Sequence, residues 1–114
     1  MEIEVKREDY VDINDALNRI GGNMALYKKL LGRFVEGNHF ETLSAAALSG
    51  DMDEAARLAH TLKGVSANLS LVSIRSITTS MEHSFKEGSD FTTQLAALEQ
   101  AYNTTMEIVS EIIG

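Results

Sequence analysis

His60 stands out among the side chains that could do chemistry because of the two residues that follow it at helical spacing. Lys63 lies three residues later and Gly64 four residues later, so both fall beside His60 on a helix surface. A neutral imidazole is a nucleophile near neutral pH and can bond covalently to a phosphoryl group. A lysine one turn away can stabilise the negative charge of that group. The spacing therefore favours a phosphoryl-accepting histidine.

The apolar residues around His60 predict which way its side chain points. At about 100° per residue they cluster on one side of a helical wheel. That side carries Met52, Ala55, Leu58, Ala59, Leu62, Val65 and Leu69. His60 falls roughly 160° from the middle of the cluster, so we expect it to face solvent. Gly64 and Ala67 share its face and are small enough to let a second protein approach. An ordinary exposed histidine beside a tolerated glycine fits the same pattern, which leaves both interpretations open.

Capping residues and glycines divide the chain into the helices that must position this group. We expect a short arm over residues 1–9, then a single helical domain over residues 10–114. Helix caps are predicted at Asp12, Asn23, Asp51 and Asp90, and one more helix spans about Val72 to Lys86. The glycines that end helices are Gly21-Gly22, Gly50 and Gly88. The stretch that follows Asn23 contains Gly37, where its apolar phase drifts, so we expect a bend or break there.

The apolar residues repeat by three and four positions, which is typical of amphipathic helices, and no stretch alternates with period two. Four long helices with short connections predict an all-α fold. The expected architecture is an antiparallel four-helix bundle of up-down-up-down order with a short extra N-terminal helix.

The composition excludes several classes of function. The 114 residues include no cysteine, which rules out disulfides, thiolate metal sites and a cysteine nucleophile. A net charge of −7 argues against nucleic acid as a partner, and no apolar run is long enough to predict a membrane span. The start of the sequence is charged where a signal peptide would be apolar, so a cytoplasmic location is predicted. No phosphate-binding loop or nucleotide-binding segment is present, so we expect no autonomous kinase activity.

The other two histidines do not complete a metal-binding pattern. Glu36 and His39 have the Glu-x-x-His spacing that helix bundles use for di-iron sites, but the second such motif and the two further glutamates are missing. His83 has no neighbours at ligand spacing. We therefore expect no metal site and no bound cofactor.

The run AHTLKGVSANL, from Ala59 to Leu69, resembles the signature of histidine-containing phosphotransfer (HPt) domains. That signature is a histidine, any residue, leucine, lysine, glycine and then small residues. The similarity covers about residues 10–110. The segment GGNMALYKKLLGRFVE and Gly50-Asp51 are similar to the family's helix start and turn, and Met81-Glu82 with Gly88 resemble the end of the next helix.

The resemblance implies an elongated four-helix bundle in which His60 is phosphorylated, Lys63 stabilises the phosphate and Gly64 admits the partner. The implied partners are receiver domains of response regulators and a sensor (hybrid) histidine kinase, and the Mg²⁺ for transfer would belong to the receiver. Ser70 departs from the family pattern, since many relatives have glycine there. A phosphorylation-inactive binding or scaffold module is the alternative, and the presence of both His60 and Lys63 argues against it.

Overall fold

The computed structural model describes residues 6–114, and every regular element within that range is a helix. A single 3₁₀ turn, Arg7–Asp9, comes first. The α-helices are α1 (Ile13–Arg19), α2 (Met24–Glu36), α3 (His39–Leu48), α4 (Met52–Leu69), α5 (Val72–Glu87) and α6 (Thr92–Ile113). The all-α prediction is thereby confirmed. Of the predicted N-terminal arm, residues 1–5 lie outside the described residues.

Most helix ends fall where the sequence predicts them. Side-chain oxygens of Asp12, Asn23 and Asp51 accept hydrogen bonds from backbone N–H groups three residues later, which satisfies donors that a helix start leaves free. The last helix differs by one residue. Asp90 accepts hydrogen bonds from the backbone N–H and the hydroxyl of Thr92, and Phe91 stands between them.

The expected break near Gly37 is confirmed, since α2 ends at Glu36 and α3 begins at His39. Asn38 adopts the left-handed conformation, with φ of 49°, which asparagine tolerates better than most residues. A Cβ atom at Gly37 would lie 2.5 Å from Nε2 of His39, so a larger residue at this position would require the His39 ring to move. The helix is interrupted here because Asn38 leaves the right-handed helical region.

Helix α4 is the central element of the core. It packs along α5 and against α3, while α6 packs on α5 and α2. The buried residues of α4 are Ala55, Ala59, Leu62, Ser66 and Leu69. The small side chains among them let neighbouring helices approach closely. The hydroxyl of Tyr27 on α2 donates a hydrogen bond of 2.8 Å to the carbonyl of Leu69, and burial raises the pKa of this tyrosine to about 12.

The segment before α1 is joined to the turn between α4 and α5. Val11 and Leu71 form an isolated antiparallel bridge, with hydrogen bonds from Asp12 N to Ser70 O (3.0 Å) and from Val72 N to Tyr10 O (2.9 Å). This pairing fixes α1 beside the C-terminal end of α4, the helix that carries His60.

Candidate functional site

His60 projects from the middle of α4 into solvent. Its side chain is 68% exposed, whereas the adjacent Ala59 is fully buried. The helical wheel therefore predicts the orientation of this helix correctly. A shallow depression of about 400 Å³ lies beside the imidazole and is lined by residues of α4 and α5, among them Arg57, Thr61, Glu82 and Lys86. His60 is thus accessible to a second molecule from this side.

Glu82 on α5 is the hydrogen-bonding centre of the site. Its carboxylate lies 3.2 Å from Nδ1 of His60, 2.6 Å from Nζ of Lys63 and 2.9 Å from Nζ of Lys86. The Glu82 side chain is only 8% exposed, and a buried carboxylate is normally stable only when such donors surround it. Hydrogen bonds from Lys63 and then Lys86 are the largest causes that lower its pKa to about 2, so Glu82 is ionised at neutral pH.

The ionised carboxylate fixes the arrangement of the His60 ring. A carboxylate accepts hydrogen bonds and donates none, so Nδ1 must carry the hydrogen in this contact. A neutral imidazole then has its lone pair on Nε2, the ring nitrogen remote from the backbone. No hydrogen-bond partner of Nε2 lies within residues 6–114. The geometry leaves a nucleophilic nitrogen facing outwards.

The two small residues beside His60 leave the surface open. Gly64 is exposed and helical, and a Cβ atom built there meets no atom within 4 Å. Ala67, one turn later, is half-buried, and its carbonyl accepts a 2.7 Å hydrogen bond from the guanidinium of Arg19 on α1. The nearest other cation along α4, Arg57, is paired with Glu54. Lys63 and Lys86 differ from Arg57 in that they share the carboxylate of Glu82 with His60.

A model of the protein family described as Hpt domain matches residues 30–109, more than half of the chain. The chain belongs to the Hpt domain family. Hpt domains are phosphocarrier modules of two-component systems, and they interact with receiver domains and histidine kinases without being kinases themselves. No curated protein and no solved structure matched the chain.

The position of Ser70 explains its departure from the pattern of other Hpt domains. Ser70 ends α4 in the left-handed conformation, with φ of 56°, which glycine adopts without strain. Its hydroxyl donates a 2.6 Å hydrogen bond to Asp15 on α1, and Asp15 also pairs with Arg19 at 3.2 Å. The left-handed conformation is unfavourable for serine, but the Ser70 hydroxyl makes a hydrogen bond to Asp15 that glycine could not make.

The sequence analysis did not predict that Glu82 and Lys86 belong to the cluster around His60. The pair itself is visible, since a glutamate and a lysine four residues apart share one helix face. The sequence also indicates that Glu82 lies level with His60 along the axes of the two helices. His60 lies ten residues before Ser70 and Glu82 lies eleven after Leu71, so a helical hairpin turning there brings them level. A count of residues along both helices from the turn at Ser70 and Leu71 would have predicted that Glu82 lies beside His60.

The other two histidines make no hydrogen bond to Glu82 within residues 6–114. His83 is exposed on α5, and the half-buried ring of His39 stacks on Phe34 at a centroid distance of 5.2 Å. Within residues 6–114, no cluster of three or more His, Asp or Glu residues has the arrangement of a metal site. In the same part of the chain, no helix is both long and apolar enough to cross a membrane.

Proposed function

We propose that His60 accepts a phosphoryl group from the phosphoaspartate of a receiver domain and passes it to the aspartate of another receiver. The observation that carries this proposal is the contact between Nδ1 of His60 and Glu82, which presents Nε2 as the exposed nucleophile. Membership of the Hpt family supports the reaction class, since its members carry phosphoryl groups.

In the transfer, the Nε2 lone pair attacks the phosphorus atom as the bond to the aspartate oxygen breaks. The aspartate leaves as a carboxylate, and a nitrogen–phosphorus bond replaces the oxygen–phosphorus bond. The imidazole retains its hydrogen on Nδ1 and becomes positively charged. Glu82 lies 3.2 Å away and stabilises that charge. Because the donor and acceptor aspartates both belong to receivers, this chain contributes mainly positioning and electrostatic stabilisation. The Mg²⁺ that such receivers use would remain with them.

Lys63 and Lys86 are proposed to stabilise the phosphoryl group. Both ammonium groups already lie against Glu82, within hydrogen-bond distance of the carboxylate beside His60. Lysine side chains are flexible, so a phosphoryl group on Nε2 would attract one or both towards it. Their exposure differs, since the side chain of Lys63 is 32% exposed and that of Lys86 is 64% exposed. Lys63 is therefore the better shielded of the two cations.

Gly64 and Ala67 are proposed as the access surface for the receiver. Gly64 has open space above it and Ala67 adds no bulk one turn later.

We also propose that α2 and α3 together, followed by α4, α5 and α6, form an antiparallel up-down-up-down bundle. Short connections and the packing of α4 with α5 and of α5 with α6 support it. The exchange is proposed to occur in the cytoplasm.

Phosphotransfer profiling tests the proposal. The purified protein is mixed in turn with each radiolabelled phosphorylated receiver from the same genome, and label on the protein is followed with time. We expect rapid labelling from a small number of receivers, with a product that is lost in acid and kept in alkali. A protein that binds a receiver but acquires no label from any of them would instead be the inactive scaffold module.

The ¹⁵N chemical shifts of the His60 ring test the role of Glu82 as a positioning residue. The unmodified protein should show the hydrogen on Nδ1, while Glu82→Ala should shift the population towards hydrogen on Nε2. Equal tautomer populations in the two proteins would leave Glu82 without a role in orienting the nucleophile.

A further inference from the structure

Arg57 is a further cation beside His60, and its partner is Glu54 rather than Glu82. Arg57 and His60 both line the depression between α4 and α5, together with Lys86. Residues three apart on a helix are neighbours on its surface and are separated by about 4.5 Å along the axis. A group bonded to Nε2 of His60 would therefore lie within reach of the long Arg57 side chain.

The pairing of Arg57 with Glu54 shows how its guanidinium binds an oxyanion. Nε donates a 2.9 Å hydrogen bond to Oε2 of Glu54, and Nη2 donates to Oε1 of the same carboxylate. Two oxygens of a phosphoryl group can accept the same pair of hydrogen bonds. The side chains of Arg57 and Glu54 are 63% and 40% exposed, so water solvates both charges when they separate. Arg57 can consequently leave Glu54 at little cost.

Lys63 and Lys86 are less readily released from their partner. Both donate hydrogen bonds to Glu82, whose side chain is only 8% exposed. These two hydrogen bonds are the largest causes that lower the pKa of Glu82 to about 2. A lysine that moved completely onto a phosphoryl group would leave a buried carboxylate short of a donor, which costs more than the release of an exposed carboxylate. Arg57 is therefore the cation that a phosphoryl group can attract most easily.

Arg57 also lies on the side of His60 that leaves the proposed receiver surface free. It precedes His60 by three residues, whereas Gly64 follows by four, so the two lie in opposite directions along α4. Asp53 lines the depression as well, but it lies seven residues before His60, about 10 Å along the helix axis. Arg57 stands between this carboxylate and the histidine. A phosphoryl group on His60 would thus meet Arg57 before it meets an acidic residue of α4.

We propose that Arg57 exchanges Glu54 for two phosphoryl oxygens when His60 is phosphorylated. The inference rests on the proposed phosphorylation of His60. In the exchange, the two hydrogen bonds to the Glu54 carboxylate break and two hydrogen bonds to phosphoryl oxygens replace them, while the nitrogen–phosphorus bond is unchanged. A phosphoryl group carries nearly two negative charges at neutral pH, and Glu54 competes with it for the guanidinium.

The exchange affects how the phosphoryl group is distributed between His60 and a receiver. Because Arg57 makes the new contact only in the phosphorylated protein, it stabilises that form and shifts the equilibrium towards phosphorylated His60. Arg57 would thus help the chain to hold the phosphoryl group until a receiver enters from the side of Gly64.

A ³¹P NMR titration of the phosphorylated protein tests the exchange. Potassium phosphoramidate serves as the phosphoryl donor, so no receiver is needed. A nearby cation favours the dianionic phosphoryl group and lowers its pKa. Arg57→Gln should therefore raise the pKa of the phosphoryl group by about half a unit, and Glu54→Gln, which leaves Arg57 without its competitor, should lower it. At equilibrium with a receiver, Arg57→Gln should reduce the ratio of phosphorylated to free His60 by about threefold.

Two further variants separate the exchange from general effects of charge. If Glu54 acts only through Arg57, the double variant with Glu54→Gln and Arg57→Gln should have the same phosphoryl pKa as Arg57→Gln alone. Arg75→Gln removes an exposed arginine of α5 that does not line the depression, and it should match the unmodified protein.

Equal phosphoryl pKa values in the unmodified protein and Arg57→Gln would overturn the proposal. It would also be overturned if Glu54→Gln lowered the phosphoryl pKa equally with and without Arg57, because Glu54 would then act directly on the phosphoryl group. The same ³¹P spectra distinguish this failure from that of the proposed function. A His60 that acquires no phosphoryl group from phosphoramidate or from any receiver overturns both proposals, whereas a phosphorylated His60 that does not respond to Arg57→Gln overturns only this one.

Discussion

Nδ1 of His60 and Oε2 of Glu82 lie 3.2 Å apart, although they belong to different helices. The contact joins an exposed residue to a buried one, since the side chain of His60 is 68% exposed and that of Glu82 is 8% exposed. One carboxylate thereby orients the imidazole and holds Lys63 and Lys86 beside it. His60, Lys63 and Lys86 are thus all held by the carboxylate of Glu82.

Replacement of Glu82 should change how the free energy of unfolding depends on pH. The pKa of Glu82 is lowered from 4.5 to about 2, first by hydrogen bonds from Lys63 and then from Lys86. A carboxyl with a depressed folded-state pKa stabilises the fold above its ordinary pKa and loses that contribution as the pH falls through the folded value. The free energy of unfolding of the unmodified protein should therefore fall relative to that of Glu82→Gln as the pH drops from 4.5 to about 2.

Denaturant melts of both proteins over this pH range provide the measurement. Glu99→Gln, at an exposed position on α6, is the control and should follow the unmodified protein throughout. Parallel stability curves for the unmodified protein and Glu82→Gln would contradict the ion-pair cluster.

Lys63 should contribute charge rather than bulk. We expect Lys63→Ala to slow transfer from a phosphorylated receiver by roughly fivefold, because a partly exposed cation stabilises a charged group by only about 1 kcal/mol. Lys63→Arg should retain part of the rate. Time courses of phosphoryl transfer, with Lys86→Ala measured alongside, separate the two cations. If transfer by Lys63→Ala proceeds at the unmodified rate, Lys63 is an ordinary surface charge.

Gly64 should show opposite effects on folding and transfer. Its helical backbone and open surroundings predict that Gly64→Ala stabilises the fold by roughly 0.5–1 kcal/mol. Gly64→Gln should also fold, but its side chain would occupy the space that a receiver must enter, so transfer should be severely slowed. Melts and transfer assays on the same preparations test both effects. Transfer at the unmodified rate by Gly64→Gln would show that the receiver does not approach over this residue.

Ser70 allows backbone strain to be separated from a hydrogen bond. Ser70→Ala and Ser70→Gly both lose the 2.6 Å hydrogen bond to Asp15, but only glycine relieves the strain of a φ of 56°. We expect the glycine variant to be more stable than the alanine variant by about 1 kcal/mol. Ser70→Ala should itself be less stable than the unmodified protein by about 1 kcal/mol. Chemical denaturation measures both differences, and equal stability of the two variants would exclude strain at this position.

Local signals in the sequence were sufficient for most of the fold. Caps such as Asn23 and breakers such as Gly37 act on neighbouring residues, so their effects can be predicted from short segments. The exposure of His60 follows from the apolar pattern of its own helix. The partnership with Glu82 does not, because it depends on how α5 is rotated against α4. The positive φ of Ser70 could not be predicted from its own helix either, since Asp15 on α1 stabilises this conformation through a hydrogen bond.

The phosphorylation site itself provides the most direct test of the account. The protein is incubated with a phosphorylated receiver, and label is measured on the unmodified chain and on His60→Gln, His39→Gln and His83→Gln. We predict that label is abolished only in His60→Gln, whose circular dichroism and melting temperature stay close to those of the unmodified protein because the side chain is exposed. Label retained by a folded His60→Gln protein would contradict the assignment of His60 as the phosphoryl acceptor.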